Sequence, residues 1–224
     1  MKKDKHQLGQ QTLAVHSGYS PERSEGSLKV PLFATSTFVA ESAEELAHWF
    51  EQAYGLNSEP CVPDGLFYSR VANPNLEICE QRLASFESSE SAVLFSSGMS
   101  AIQTAFFTFL KPGDTVMFSE PVYGGTDYLL RNILPAWGVR TVGFPIHTKK
   151  NDFKRLLQKT DDVRVVYMES PCNPTLLLAE VPGITKYSHE HNEDIVVMVD
   201  NTILGPIIQK VLCFGVDLSI YSAT

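Results

Sequence analysis

The stretch "DIVVMVDNT", Asp194 to Thr202, carries five consecutive apolar residues between two aspartates. An unbroken, β-rich apolar run of this kind marks a strand buried on both faces, whereas a strand wet on one side alternates apolar and polar residues. Outward from it, "SAVLF" at Ser91, "TVMFS" at Thr115, "RTVGF" at Arg140, "VRVVYM" at Val163 and "DLSIY" at Asp217 read as further strands. Between them lie helical patterns: "SAIQTAFFTFL", "TDYLLRNILPAW", "DFKRLLQK" and "GITKYSHEH". Strands alternating with helices, several of them continuous apolar runs, predict an α/β fold in three layers around a mostly parallel sheet.

The first 60 residues read differently. "SAEELAHWFEQAYG" has Ser42 and Glu45 in capping-box spacing and ends at Gly55, which predicts an isolated helix after an irregular arm. "NPNLEICEQRLASFE" predicts a second helix, with Asn73 as N-cap, Pro74 at its first position, and Leu76, Cys79, Leu83 and Phe86 on one apolar face. The division expected is an arm and helix over residues 1–60 and one α/β domain over 61–224.

Composition excludes several partners. With 224 residues, a formal charge of −8 and a pI near 5.2, the chain lacks the clustered cations that nucleic acid or an anionic membrane requires. The start "MKKDKHQLGQQ" is basic, but no apolar segment of signal or spanning length follows, so a cytoplasmic protein is expected. Cys61, Cys79, Cys172 and Cys213 show no metal-ligand spacing and read as reduced, partly buried thiols.

In an open parallel sheet, ligands bind beyond the carboxyl ends of the strands. Four such ends carry polar clusters. "LFSSGMSAI" turns from strand to helix through Gly98 and Met99, where helix N–H groups and a close-approach glycine suit a phosphate, although a plain tight turn has the same appearance. "VVYMESPCNPT" places Glu169, Ser170 and Asn173 after a strand, and "IVVMVDNT" places Asp200 at the end of the most apolar one. A carboxylate there is costly to desolvate unless a positive or hydrogen-bonding group meets it; a cap is the simple alternative and a ligand the other. "DLSIYSAT" adds the hydroxyls of Ser222 and Thr224.

From "TLAVHSG" at Thr12 to Thr224 the chain resembles the pyridoxal 5'-phosphate (PLP) enzymes of cysteine and methionine metabolism, a fold type I group that includes cystathionine γ-synthase, cystathionine γ-lyase, methionine γ-lyase and homoserine-ester sulfhydrylases. The resemblance rests on six collinear motifs: "YSRVANPN", "FSSGMSAI", "GDTVMFSEPVYGGT", "ESPCNPT", "VDNT" and "YSAT". It implies PLP as cofactor and elimination or replacement at the β or γ carbon of a sulfur amino acid or activated homoserine. It implies that the Schiff-base lysine follows Thr224 directly, that the chain stops before it, and that a small carboxy-terminal domain lies beyond.

By the same resemblance, Asp200 faces the ring nitrogen and Asn173 the phenolic oxygen, while Tyr123 stacks on the ring and moves protons. Gly98, Met99, Ser222 and Thr224 cradle the phosphate. Tyr68 and Arg70 reach that phosphate from a neighbouring subunit of a homotetramer. Glycine at 125, where methionine γ-lyases typically carry cysteine, resembles the cystathionine-processing branch. "NPN" at Asn73 stands for the usual NPT, "TILGP" at Thr202 lacks the customary aromatic and hydroxyl residues, and the segment before "YSR" is long; these departures bear on substrate preference. A noncatalytic relative acting as a PLP-binding or interaction protein is the alternative, and an unrelated α/β protein for a phosphorylated ligand is a third.

Overall fold

Parallel strands need crossovers, and here the crossovers cover both faces of one sheet. The computed structural model describes residues 9–56 and 66–224; Cys61, the basic start of the chain and the expected division between residues 60 and 61 lie outside them. The strands are β1 (Thr115–Glu120), β2 (Arg140–Pro145), β3 (Val163–Glu169), β4 (Val196–Asp200) and β5 (Leu218–Ile220). They pair in parallel throughout, in the order β2-β1-β3-β4-β5.

The continuous apolar runs divide by the two-residue period of a strand. Val116, Phe118, Val165, Tyr167 and Met198 enter one core with Ile102, Phe106, Leu130 and Leu134. Met117, Val166, Met168, Val197 and Val199 enter the other with Phe153, Leu157 and Ile184. The first core lies under α4 (Gly98–Phe109) and under the segment α5 (Gly124–Tyr128), a π turn (Leu129–Ile133) and α6 (Leu134–Ala136). The second lies under α7 (Lys150–Leu157) and α8 (Val181–His191). The sheet order reverses direction at β1, and the covering helix changes face at the same step, as crossovers of one hand require. This is the three-layer α/β arrangement expected.

Two compact units separate between Leu94 and Phe95. The sheet belongs wholly to the second. Among the described residues of the first unit, Phe67 and Ile78 are the only buried apolar side chains. Its helices are α1 (Gln10–His16), α2 (Ala43–Ala53) and α3 (Pro74–Glu87). The capping box at α2 forms with a shift: Glu45 N–H donates to Ser42 Oγ (3.0 Å), but Glu45 Oε2 accepts from Glu41 N–H (2.7 Å) rather than from the cap residue itself.

Three local expectations give way. "SAVLF" forms no ladder with any strand among the described residues; Leu94 N–H donates instead to Glu80 Oε1 (2.8 Å). In α3 the buried residues are Ile78 and Glu87, while Leu76 is 44% exposed and Cys79 is exposed. The arm binds this helix through polar contacts on another face: Arg82 donates to the carbonyls of Ser17 (3.0 Å) and Val15 (2.9 Å), and Ser17 and Ser85 share a hydroxyl bond of 2.6 Å. Cys79, Cys172 and Cys213 are free thiols, but only Cys172 is buried. No helix among the described residues is long and apolar enough to cross a membrane.

Candidate active site

The carboxyl edge of the sheet opens into a cleft of about 290 Å³ formed entirely by the second unit. Its floor is set by the last register pair of β3 and β4, Glu169 opposite Asp200. Asp200 is 7% exposed. Its Oδ1 accepts from Thr202 N–H (3.0 Å) and Thr202 Oγ1 (2.6 Å), and among the described residues its Oδ2 accepts only from Tyr167 O–H at 3.3 Å. Among the described residues, no ion pair involves Asp200 or Glu169. Oδ2 therefore keeps acceptor capacity in a place where an unmet charge is expensive.

The surroundings feel that charge. Burial, then the neighbouring carboxylates Asp200 and Glu169, push the Tyr167 hydroxyl well above the usual phenol range, so it stays a donor. Glu169 is 4% exposed, and burial raises its carboxyl above the ordinary value, with Asp200 adding to the effect. Two backbone donors oppose that rise: Tyr123 N–H to Oε2 (2.6 Å) and Asn173 N–H to Oε1 (2.7 Å).

One wall is the start of α4. Ser97 is its N-cap, its Oγ accepting from Ser100 N–H (3.1 Å). The first N–H groups of the helix, those of Gly98 and Met99, then point out of it with the positive end of the helix dipole. Ser222 lies against Gly98 so closely that a Cβ on Gly98 would sit 2.8 Å from Ser222 Cβ. Ser222 N–H donates to Thr202 Oγ1 (2.8 Å), and the Ser222 and Thr224 hydroxyls are 2.8 Å apart. Thr202 thus joins the Asp200 carboxylate to this hydroxyl cluster through one oxygen.

The Tyr123 ring, 49% exposed, borders the same cleft. A Cβ on Gly125 would sit 2.8 Å from its Cε1 and 3.0 Å from Met99 Sδ, so only glycine leaves the ring in place. Seven of the nine candidate residues therefore line one cavity: Gly98, Met99, Tyr123, Asn173, Asp200, Ser222 and Thr224. Tyr68 and Arg70 belong to the first unit, where the guanidinium carbon lies 5.3 Å from the tyrosine ring centroid and Tyr68 bridges to Thr37. Thr202, Ile203 and Glu169 also line the cleft; the sequence signal for Glu169 is a carboxylate closing the apolar run "VVYM".

The profile of the family described as Cys/Met metabolism PLP-dependent enzyme matches residues 11–224. The chain belongs to that family. Within it, the chain is 37% identical over 216 residues to the L-methionine gamma-lyase of Pseudomonas putida, covering 95% of this chain and 50% of that protein. It is 32% identical over 216 residues to the cystathionine gamma-synthase of Mycobacterium leprae, covering 96% and 50%. Among solved structures, metB from Corynebacterium glutamicum matches with a TM-score of 0.82 at 28% identity, over 98% of this chain and 51% of that one. A putative O-acetylhomoserine (thiol)-lyase from Campylobacter jejuni, whose structure contains N'-pyridoxyl-lysine-5'-monophosphate, matches with the same TM-score and identity over 96% and 49%. The chain spans about half the length of the curated relatives it matches.

PLP is the cofactor of this family. The residues present fit it: a buried carboxylate with spare acceptor capacity suits a protonated ring nitrogen, a half-exposed aromatic suits a ring face, and a helix N-terminus beside two hydroxyls suits a phosphate.

Proposed function

We propose that the protein catalyses PLP-dependent elimination or replacement at the β or γ carbon of a sulfur amino acid or an activated homoserine. The observation that carries this reading is Asp200, buried at the floor of the cleft with an under-used oxygen and, among the described residues, no cation paired with it. Bound there, PLP supplies an electron sink for negative charge at the substrate α-carbon. Asp200 holds the proton on the ring nitrogen, and its own orientation is held by Thr202 and by Tyr167, a permanent donor.

The other roles follow from chemistry at hand. The Asn173 amide meets the phenolic oxygen. Gly98, Met99, Ser222 and Thr224 bind the phosphate, with backbone N–H groups supplied where a glycine allows close approach. Tyr123 covers the ring face, and its hydroxyl moves a proton to or from the substrate. Tyr68 and Arg70 act on the phosphate of the neighbouring subunit in a cytoplasmic homotetramer, Arg70 as a planar, permanently charged fork. The thin core of residues before Leu94 supports a segment that lies on a partner. The covalent lysine is proposed to follow Thr224, within an α/β domain that begins at residue 61 and is completed by a small carboxy-terminal domain.

For the substrate, Gly125, which stands where methionine γ-lyases typically carry cysteine and resembles the cystathionine-processing branch, favours cystathionine or an activated homoserine over methionine; a side chain there would also have to move the Tyr123 ring. Relatives named for methionine lysis and for cystathionine synthesis both lie close to this chain. The experiment is a comparison of kcat/KM for methionine, cystathionine, cysteine and O-acetylhomoserine with the intact protein and PLP. Methionine as clear best substrate overturns the preference drawn from Gly125. No turnover of any, with PLP bound, overturns the enzymatic reading in favour of a PLP-binding or interaction protein.

A further inference from the structure

Two of the residues assigned to the cofactor ring sit on different loops. Tyr123 follows β1 and Asn173 follows β3, 50 residues apart in sequence. Both backbones nevertheless end on one side chain: Glu169 Oε2 accepts Tyr123 N–H at 2.6 Å and Glu169 Oε1 accepts Asn173 N–H at 2.7 Å. Glu169 N–H in turn donates to Ser119 Oγ (3.2 Å) on β1. The carboxylate is 4% exposed, no ion pair among the described residues compensates it, and it stands in register beside Asp200. Burying a second carboxylate next to the first is costly. What it gains is a two-pronged acceptor, and only an ionised carboxylate offers two equivalent oxygens to two donors.

We propose that Glu169 is a positioning residue that locks the loops after β1 and β3 into one frame, fixing the spacing between the Tyr123 ring and the Asn173 side chain. The role rests on the functional reading above, since it is the cofactor ring that this frame receives. Glutamine in its place is the same size but presents one oxygen and one NH₂ group, so one of the two N–H donors would face another donor. Aspartate keeps the charge but, one methylene shorter, cannot reach both.

The test follows amide hydrogen exchange at Tyr123 and Asn173 by NMR without cofactor, and the visible circular dichroism and retention of PLP in the intact protein, for wild type and Glu169→Gln. In wild type both amides should be protected. In Glu169→Gln at least one should exchange about tenfold faster or more, while Val166 and Val199 amides in the sheet stay as they were. PLP should be held at least about tenfold more weakly, with an altered dichroic band. Free exchange of either amide in wild type, which needs no variant to measure, overturns the clamp. Faster exchange in the variant with an unchanged dichroic band and unchanged retention overturns the positioning role while leaving the clamp as a structural contact. Wild-type protein that binds no PLP overturns the functional reading and with it this role, even if the exchange pattern is as described.

Discussion

Gly98→Ala perturbs the proposed phosphate cup by a calculable amount. The added methyl would lie 2.8 Å from Ser222 Cβ, 3.1 Å from its Oγ and 3.2 Å from its Cα. Carbon atoms in ordinary contact are about 3.5 Å apart, so Ser222 or the start of α4 must yield by about 0.7 Å. Ser222 is not free to retreat, because its N–H is tied to Thr202 Oγ1 at 2.8 Å, and a shift of about 0.7 Å along that bond would carry it past hydrogen-bonding range. The affinity lost is that of the proposed charge-assisted contact of the Ser222 hydroxyl with the phosphate, roughly 1.5–3 kcal/mol, or roughly 10–150-fold in PLP affinity. Alanine is the better helix former, so the fold should not suffer in proportion. Titration of the intact apoprotein with PLP, read by absorbance, measures the affinity, and a thermal melt without PLP checks the fold. An affinity within about twofold of wild type, with an unchanged melt, would refute the placement of the phosphate between α4 and Ser222.

Asp200→Ala should let PLP bind yet cut exchange of the substrate α-hydrogen in heavy water by several orders of magnitude, through lost charge stabilisation; a rate within about tenfold of wild type removes Asp200 from the role. Arg70→Ala and Asp200→Ala, each inactive alone, should regain activity when mixed under subunit-exchanging conditions, because a hybrid has one site with both residues intact; proven exchange without recovery refutes an Arg70 acting across subunits. Glu169 has a folded-state carboxyl raised above the ordinary 4.5 by burial, then by Asp200, so its stability contribution is full below the unfolded value and is lost as pH rises through the folded value. Wild type should therefore gain stability relative to Glu169→Gln on acidification through that window in denaturant titrations, and a gap that stays constant or moves the other way contradicts the assignment.

The sheet is legible in sequence because β1, β3 and β4 are buried on both sides over their middles and so carry continuous apolar runs there, while the helices between them keep their own period. "SAVLF" shows what such a pattern lacks: composition describes a strand's surfaces but not whether a neighbour exists to bond its edges. The apolar stripe on α3 misleads for a related reason, since the arm that covers that helix binds through Arg82 and Ser85 rather than through Leu76 and Cys79. At the site, polar residues closing apolar strands point to the cleft, and Asp200, Asn173, Ser222 and Thr224 all reach it. The bonds of Glu169 and Thr202 are set by how the segments after β1, β3, β4 and β5 converge, which no periodicity within one segment encodes. Likewise, the demand for glycine at 98 and 125 comes from Ser222 and Tyr123, the first of them more than a hundred residues away in the chain.

The most direct test of the account is a crystal structure of the intact protein with PLP, read at one distance. The ring nitrogen should lie within about 3 Å of Asp200 Oδ2, with the phosphate on the N–H groups of Gly98 and Met99 and the hydroxyls of Ser222 and Thr224. A ring nitrogen that faces another group, or a phosphate bound away from the start of α4, would contradict it.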